Sequence, residues 1–405
     1  MTAEDDLRQE TQTGDGPASR SPAMSRAEPK HLIGVMDVVR IVLGWGAFLA
    51  LLILHPLLEP PVPAPVLVVA LAGIVAVILV CAFGVVKQAE ALAHRLGDPY
   101  GSLVLTLSIV LIEVILISAV MLGPGEHATI ARDSVMAVAM IILNLVIGLA
   151  LLLGGVRHRG MAHNRTGTSA YLSMLVVLVA LAFGLPALIG TDGSYTTAQE
   201  IPIILLTLAL YAFFLFRQMG AQASDFTEVD ARLLRDRPRE ASASDGGIRQ
   251  VLAEHRTEIL IRLGLLVVTV VPIVLLSHDM AALLDDGLGR LGAPVALAGV
   301  LIAGIVFLPE SITAVRAALR GEAQRVVNLC HGALVSTVGL TIPAVLVIGM
   351  LTGQTVVLAE SPANLLMLGV TLLLSVTTFA AKRVTAMHGA AHLVTFAVYV
   401  LVLFS

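Results

Sequence analysis

Beyond about residue 30 the chain alternates between apolar runs near twenty residues long and short polar breaks. About 20 consecutive apolar residues carry a helix across the hydrocarbon core of a bilayer. Runs of that kind lie at about 36–56, 64–86, 101–122, 133–154, 170–190, 200–219, 258–277, 292–315, 324–350, 361–380 and 388–404. In lipid the backbone must satisfy its own polar groups, so each run reads as a helix. The pattern predicts an all-α polytopic membrane protein with eleven transmembrane helices. One polar interruption is long, at 221–255, and it divides the chain. The expected organisation is a leading span within 31–60, five spans within 61–220, the cytoplasmic linker 221–255 and five spans within 256–405. Residues 1–30 are polar, mixed in charge and without the apolar stretch of a signal peptide, so they read as a disordered cytoplasmic tail.

Two five-span halves enter the membrane from opposite sides, the arrangement of an inverted repeat. They begin near 64 and 258, about 194 residues apart, so a functional residue in one half should recur at that spacing in the other. Composition agrees with a membrane protein: 57% of residues are apolar and 13% charged, where a soluble domain carries about a quarter charged. A soluble enzyme, a nucleic-acid binder and a disordered chain are thereby excluded. The basic residues orient the chain. With the N-terminus inside, all but Arg132 and Arg290 of the 25 Lys and Arg fall on cytoplasmic segments, which predicts N-in/C-out. Cys81 and Cys330 lie in apolar stretches and read as small core residues, not as a disulfide or metal framework.

Of the 29 Asp and Glu, only Glu113 and Glu310 fall well inside apolar runs, and they stand 197 residues apart, close to the repeat spacing. A charge at bilayer depth costs about 2.5–3.5 kcal/mol on insertion scales, so such residues are functional candidates. A purely structural carboxyl would not recur symmetrically. Neither has a Lys or Arg at the same depth, so the pair must hold protons or share a cation. Ca²⁺ takes six to eight oxygen ligands, and two Glu supply at most four, so further oxygens are needed. Candidates are Thr106, two turns before Glu113 on one face, and the stripes Asn328–Gly332–Ser336 and Asn144–Gly148. The glycines also fit plain small-residue packing. Pro309 either kinks its helix or breaks it, exposing the Ile305 carbonyl to an ion. His331 either relays protons or is a packed neutral histidine, while His278, His388 and His392 lie near span ends and are expected to face water.

The stretches GDPYGSLVLTLSIVLIEV and ARDSVMAVAMIILNLVIGLALLLGG resemble the first α-repeat of ChaA-type calcium/sodium–proton antiporters, of the calcium/cation antiporter superfamily. FLPESITAVRAAL and QRVVNLCHGALVSTVGLTIPAVL resemble the second. The resemblance implies that Glu113 and Glu310 carry the metal cation and protons in turn. Vacuolar-type relatives carry G-N-x-x-E; here Ile109-Val110 and Val306-Phe307 replace Gly-Asn, and Gly332-Ala333 stands where many relatives have Gly-Ser. The linker mixes Asp225, Glu228 and Asp230 with arginines, unlike the acidic run of some relatives, and reads as a solvated segment. The implied protein is an antiporter of a bacterial inner membrane, exchanging Ca²⁺ for protons by alternating access, with Na⁺ or K⁺ as further candidate substrates. Its partners are those ions and membrane lipid, with no nucleic acid and no cofactor. The nearest rival is a monovalent Na⁺ or K⁺/H⁺ antiporter using the same pair. A polytopic enzyme lacks a clustered His/Asp/Arg constellation at a membrane boundary, and a channel lacks a filter motif.

Overall fold

The computed structural model describes residues 33–58, 62–96, nine positions between 107 and 121, and 128–230, 255–294 and 296–405. The tail 1–30, most of the third apolar run including Thr106, and linker residues 231–254 lie outside the described residues. Among the described residues ten helices are long and apolar enough to cross a membrane. They are α1 (Val35–Leu54), α2 (Ala64–Leu96), α3 (Ile130–His158), α4 (Arg165–Ile189), α5 (Thr197–Met219), α6 (Arg256–Leu291), α7 (Ala296–Arg320), α8 (Ala323–Thr352), α9 (Pro362–Ala380) and α10 (Ala386–Leu403). The nine described positions between 107 and 121 are helical as well.

The two halves carry matching elements. The starts of α2, α3, α4 and α5 recur in α6, α8, α9 and α10 at separations of 189–197 residues. Orientation is inverted, as the long pair shows. The Val62 N–H donates to Asp286 Oδ2 (3.3 Å) at one end and Arg262 Nη1 donates to Gln88 Oε1 (3.1 Å) at the other, so α2 and α6 pack antiparallel. At 33 and 36 residues these helices reach about 50 and 54 Å, more than the hydrocarbon thickness, so they tilt or project beyond it. Both outrun the apolar stretches 64–86 and 258–277, because their last turns are polar and helical at once.

α1 lies across this pair. Its Gly44 lets the backbone approach Cys81 and Pro272, where a methyl would come within 3.0 Å of each, and Trp45 Nε1 donates to the Val268 carbonyl (3.1 Å). Asp37 ties it to α2 through Lys87 at 3.2 Å. Only 6% of the α1 span is buried, against 83% of α3 and 67% of α8, so α3 and α8 form the protein core and α1 rides at its edge. Close approach in that core rests on small residues, as expected where lipid supplies no hydrophobic drive. A methyl on Gly155 of α3 would collide with the Ala386 backbone of α10, and one on Gly389 of α10 with the Leu152 backbone of α3.

Two faces follow from the contacts. On one, β1 (Met161–Ala162, after α3) pairs antiparallel with β2 (Arg383–Val384, after α9), and Asn328 Nδ2 donates to the Phe226 carbonyl. This is the β face. On the opposite face, Arg132 Nη1 at the start of α3 donates to the Ala359 carbonyl before α9 (3.0 Å). α2 ends beside the start of α6, which the α6–α7 hairpin places on the β face, whereas α3 starts on the opposite face. The chain therefore changes faces between Leu96 and Ile130, the parity that the third apolar run requires.

The beginning of the linker is not solvated as expected. Phe226 is buried against Tyr171 (5.1 Å between ring centroids) and Phe214 (5.9 Å), and Glu228 Oε2 accepts from the Gln324 N–H at the start of α8 (3.3 Å). An aromatic side chain gains more by burial in that cluster than a polar linker gains from full hydration.

Candidate cation and proton site

α7 runs unbroken from Ala296 to Arg320 with Pro309 inside it, so the broken-helix alternative does not occur. Ser311 Oγ turns back to the Phe307 carbonyl (2.7 Å) and Thr313 Oγ1 to the Pro309 carbonyl (3.0 Å), which holds the turns around the proline. Glu310, next in the chain, is buried, and neither of its carboxyl oxygens has a hydrogen-bond partner among the described residues. Beside it is a cavity of about 20 Å³ walled by Ile78, Ala82 and Val86 of α2 and Ile273 of α6. That is room for about one water-sized centre.

Glu113 reaches the same region from the other half. It is buried; its Oε2 accepts from Thr337 Oγ1 of α8 (2.5 Å), and its Oε1 has no partner among the described residues. The two carboxyls lie within electrostatic reach of one another, and among the described residues no Lys or Arg acts on either. Two carboxylates in such surroundings cannot both stand ionised alone, since desolvation costs about several kcal/mol per ion. They can hold protons, or a cation. Among the described residues no three His, Cys, Asp or Glu converge, so a cation here would draw its remaining ligands from hydroxyls, carbonyls or water.

The other candidate residues are dispersed. Ser336 accepts from Tyr211 O–H (2.9 Å), facing α5, one residue away from Thr337. Asn328, nine residues before Thr337, sits at the β face, accepting from Gln324 Nε2 (2.9 Å) and holding Phe226. At 1.5 Å per residue it is about 13 Å along the helix from the glutamate contact, so it braces the linker instead of joining the carboxyls. His331 is fully buried between aromatic rings, 6.3 Å from Tyr171 and 5.0 Å from Phe379. Asn144 is fully buried in a π turn of α3 (Ile141–Val146). Its Nδ2 donates to Thr371 Oγ1 (2.8 Å) and its Oδ1 meets His392 Nδ1 (3.3 Å). His392 is thus fully buried, contrary to its expected exposure at a span end, because α10 packs tightly onto α3. Thr337 is the residue touching the carboxyl pair that sequence reasoning missed. It is the fifteenth residue of α8 as Asn144 is the fifteenth of α3, whereas the spacing of about 194 read from the sequence carries Asn144 to Val338, so the helix starts in the structure were needed to find it.

Outside the spans, burial raises two carboxyls. Glu228 lies above the usual glutamate range despite three backbone N–H donors, and Glu360 does so despite Asn364 and Arg132 pulling it down.

The chain matches the sequence profile of the family described as sodium/calcium exchanger protein over residues 66–220 and 261–405, the two halves found above. It is 36% identical over 322 residues to the putative ionic transporter y4hA of Sinorhizobium fredii, covering 79% of this chain and 84% of that protein. It is 32% identical over 346 residues to the sodium-potassium/proton antiporter ChaA of Escherichia coli, covering 85% and 90% respectively. Among solved structures, native YfkE superposes with a TM-score of 0.62 at 14% identity, over 91% of this chain and 99% of that one. The H⁺/Ca²⁺ exchanger CAX gives 0.60 at 16% identity, over 91% and 89%. At such identities the structures share the fold.

Proposed function

The chain belongs to the sodium/calcium exchanger protein family, a multi-pass membrane transporter and not an enzyme, and from that premise we propose that it exchanges cytoplasmic Ca²⁺ for external protons across a bacterial inner membrane. The observation that carries this reading is the pair Glu113 and Glu310, one from each inverted half, both buried and, among the described residues, without a basic partner. Protonated, the pair is neutral. Deprotonated, it presents two negative charges that one divalent cation neutralises, so cation and protons exclude each other and charge balance gives two H⁺ per Ca²⁺.

The clustering of Lys and Arg supports a cytoplasmic β face. The cavity beside Glu310 is walled by α2 and α6, so displacement of that pair, with α1 riding on it, relative to α7 would open the carboxyl to one side at a time. This is alternating access around a site at membrane depth. Protons entering from outside would displace the cation there.

A second reading is favoured by one finding, the 32% identity to a protein named as a sodium-potassium/proton antiporter. In that reading the same pair carries Na⁺ or K⁺. Everted membrane vesicles decide between them. After a respiratory ΔpH is formed, Ca²⁺ or Na⁺ is added and collapse of the gradient followed. Collapse by Ca²⁺ that either Glu113→Gln or Glu310→Gln abolishes supports the primary reading; collapse by Na⁺ alone supports the second. Exchange at the wild-type rate in both Gln variants refutes the glutamate site.

A further inference from the structure

The inverted repeat makes a demand that one half fails to meet. Thr337 and Asn144 occupy the same position counted from the start of their helices, and Thr337 bonds Glu113. Symmetry therefore assigns Asn144 to Glu310. Depth agrees. α3 and α7 run side by side, with Gly299 against Asp133 near one end and Gly154 against Ala318 near the other. Counting between those contacts sets Asn144 level with residues 308–310. Yet among the described residues both Glu310 oxygens are unpartnered, and the Asn144 amide is spent on α9 and α10.

The π turn accounts for the difference. A π turn holds an extra residue, which swings side chains around the helix by up to about 100°. It spans Ile141–Val146, where Asn144 sits, and α8 has no π turn around Thr337. His392 touches this turn twice. Its Nδ1 meets Asn144 Oδ1, and its ring faces the Leu143 carbonyl, while Nε2 is held by Thr378 Oγ1 (3.2 Å). Since Oδ1 only accepts, Nδ1 carries the hydrogen and donates it. His388, one turn back on α10, is the other titratable group acting on it from that helix.

We propose that His392 is a positioning residue: with Thr371 it forms a latch that draws Asn144 off Glu310, and cation binding at Glu310 competes with the latch for the Asn144 amide. This rests on the reading of the glutamates as the cation site. The π turn is the element that moves. Relaxed to an α turn, it returns Asn144 to the face on which Thr337 serves Glu113, and Glu310 gains an amide oxygen as a ligand.

The test is the cation dependence of ΔpH collapse in everted vesicles, with Ca²⁺ and separately Na⁺ as the titrated ion and the full chain throughout. His392→Leu removes one arm of the latch and Thr371→Val the other. Each should lower the cation KM about three- to ten-fold, the weight of one hydrogen bond lost by the competing state. His392→Asn keeps a donor at the Nδ1 position and should stay within about twofold of wild type on the same scale. In an Asn144→Ala background, His392→Leu should change nothing further. An unchanged or raised KM in Thr371→Val and His392→Leu, or an equal fall without Asn144, overturns the latch. If His392→Leu does not reach the membrane, Thr371→Val with and without Asn144→Ala carries the test. Glu310→Gln runs beside them. Its loss of flux with a failed latch removes only the latch, whereas its full activity removes both readings.

Discussion

Glu113 and Glu310 are both buried, one from each half, and their surroundings differ. Glu113 accepts a 2.5 Å hydrogen bond from Thr337, while Glu310 faces apolar α2 and α6 side chains with both oxygens unpartnered among the described residues. Near Thr337 the helix is regular; near Asn144 it contains a π turn. Repeat symmetry thus sets how deep a residue lies, whereas the local winding of the helix sets which way it points.

The largest expected effect removes the comparison altogether. Glu113→Gln and Glu310→Gln should each bring cation-driven ΔpH collapse to background in vesicles, since one remaining carboxylate cannot balance a divalent ion. Next is Thr337→Val, which makes the Glu113 side resemble the Glu310 side. The hydrogen bond belongs to the cation-free carboxyl, so removing its donor costs that state about 1–3 kcal/mol and the cation KM should fall about tenfold, with Thr337→Ser restoring it.

A smaller effect concerns the packing that keeps the halves unequal. Gly155→Ala drives a methyl into the Ala386 backbone and should destabilise the α3–α10 contact by about 1–3 kcal/mol. Gly46→Ala on α1, where nothing lies within 4 Å, should be neutral or stabilising by up to about 1 kcal/mol. Thermal unfolding of the detergent-solubilised protein measures both, and equal shifts would mean that α10 does not hold α3 as described.

The smallest effect lies at the β face, where α8 begins under Glu228. Burial raises this glutamate above its ordinary value of 4.5. Its contribution to docking of the Phe226 segment is therefore complete below that value and is lost as pH rises through the elevated one. Proteolysis of the linker should accelerate as pH rises above that ordinary value in the wild type. Glu228→Gln, which has no charge to bury, should show a flatter profile.

Much of this was readable along the chain. The apolar runs located the ten described helices, and the spacing of Glu113 and Glu310 located the carboxyl pair, because burial in lipid selects composition residue by residue. Helix length was misread for α2 and α6, since hydropathy reports membrane thickness and not where a helix stops. Thr337 went unnoticed beside Ser336 because neighbouring residues on a helix point about 100° apart, and spacing alone does not say which faces a distant glutamate. His392 looked like a wet span end, yet it is sealed against α3 by contacts between residues 248 apart.

The sequence by itself determined the class of protein, the division into two inverted halves and the burial of the two glutamates, all properties that depend on counting apolar residues along the chain. Only the tertiary structure decided which hydroxyl serves Glu113, why Asn144 does not serve Glu310, and that Asn328 belongs to the linker. Those outcomes depend on rotation about helix axes and on which helix lies alongside, and a single π turn or a glycine contact changes them without altering the hydrophobic pattern.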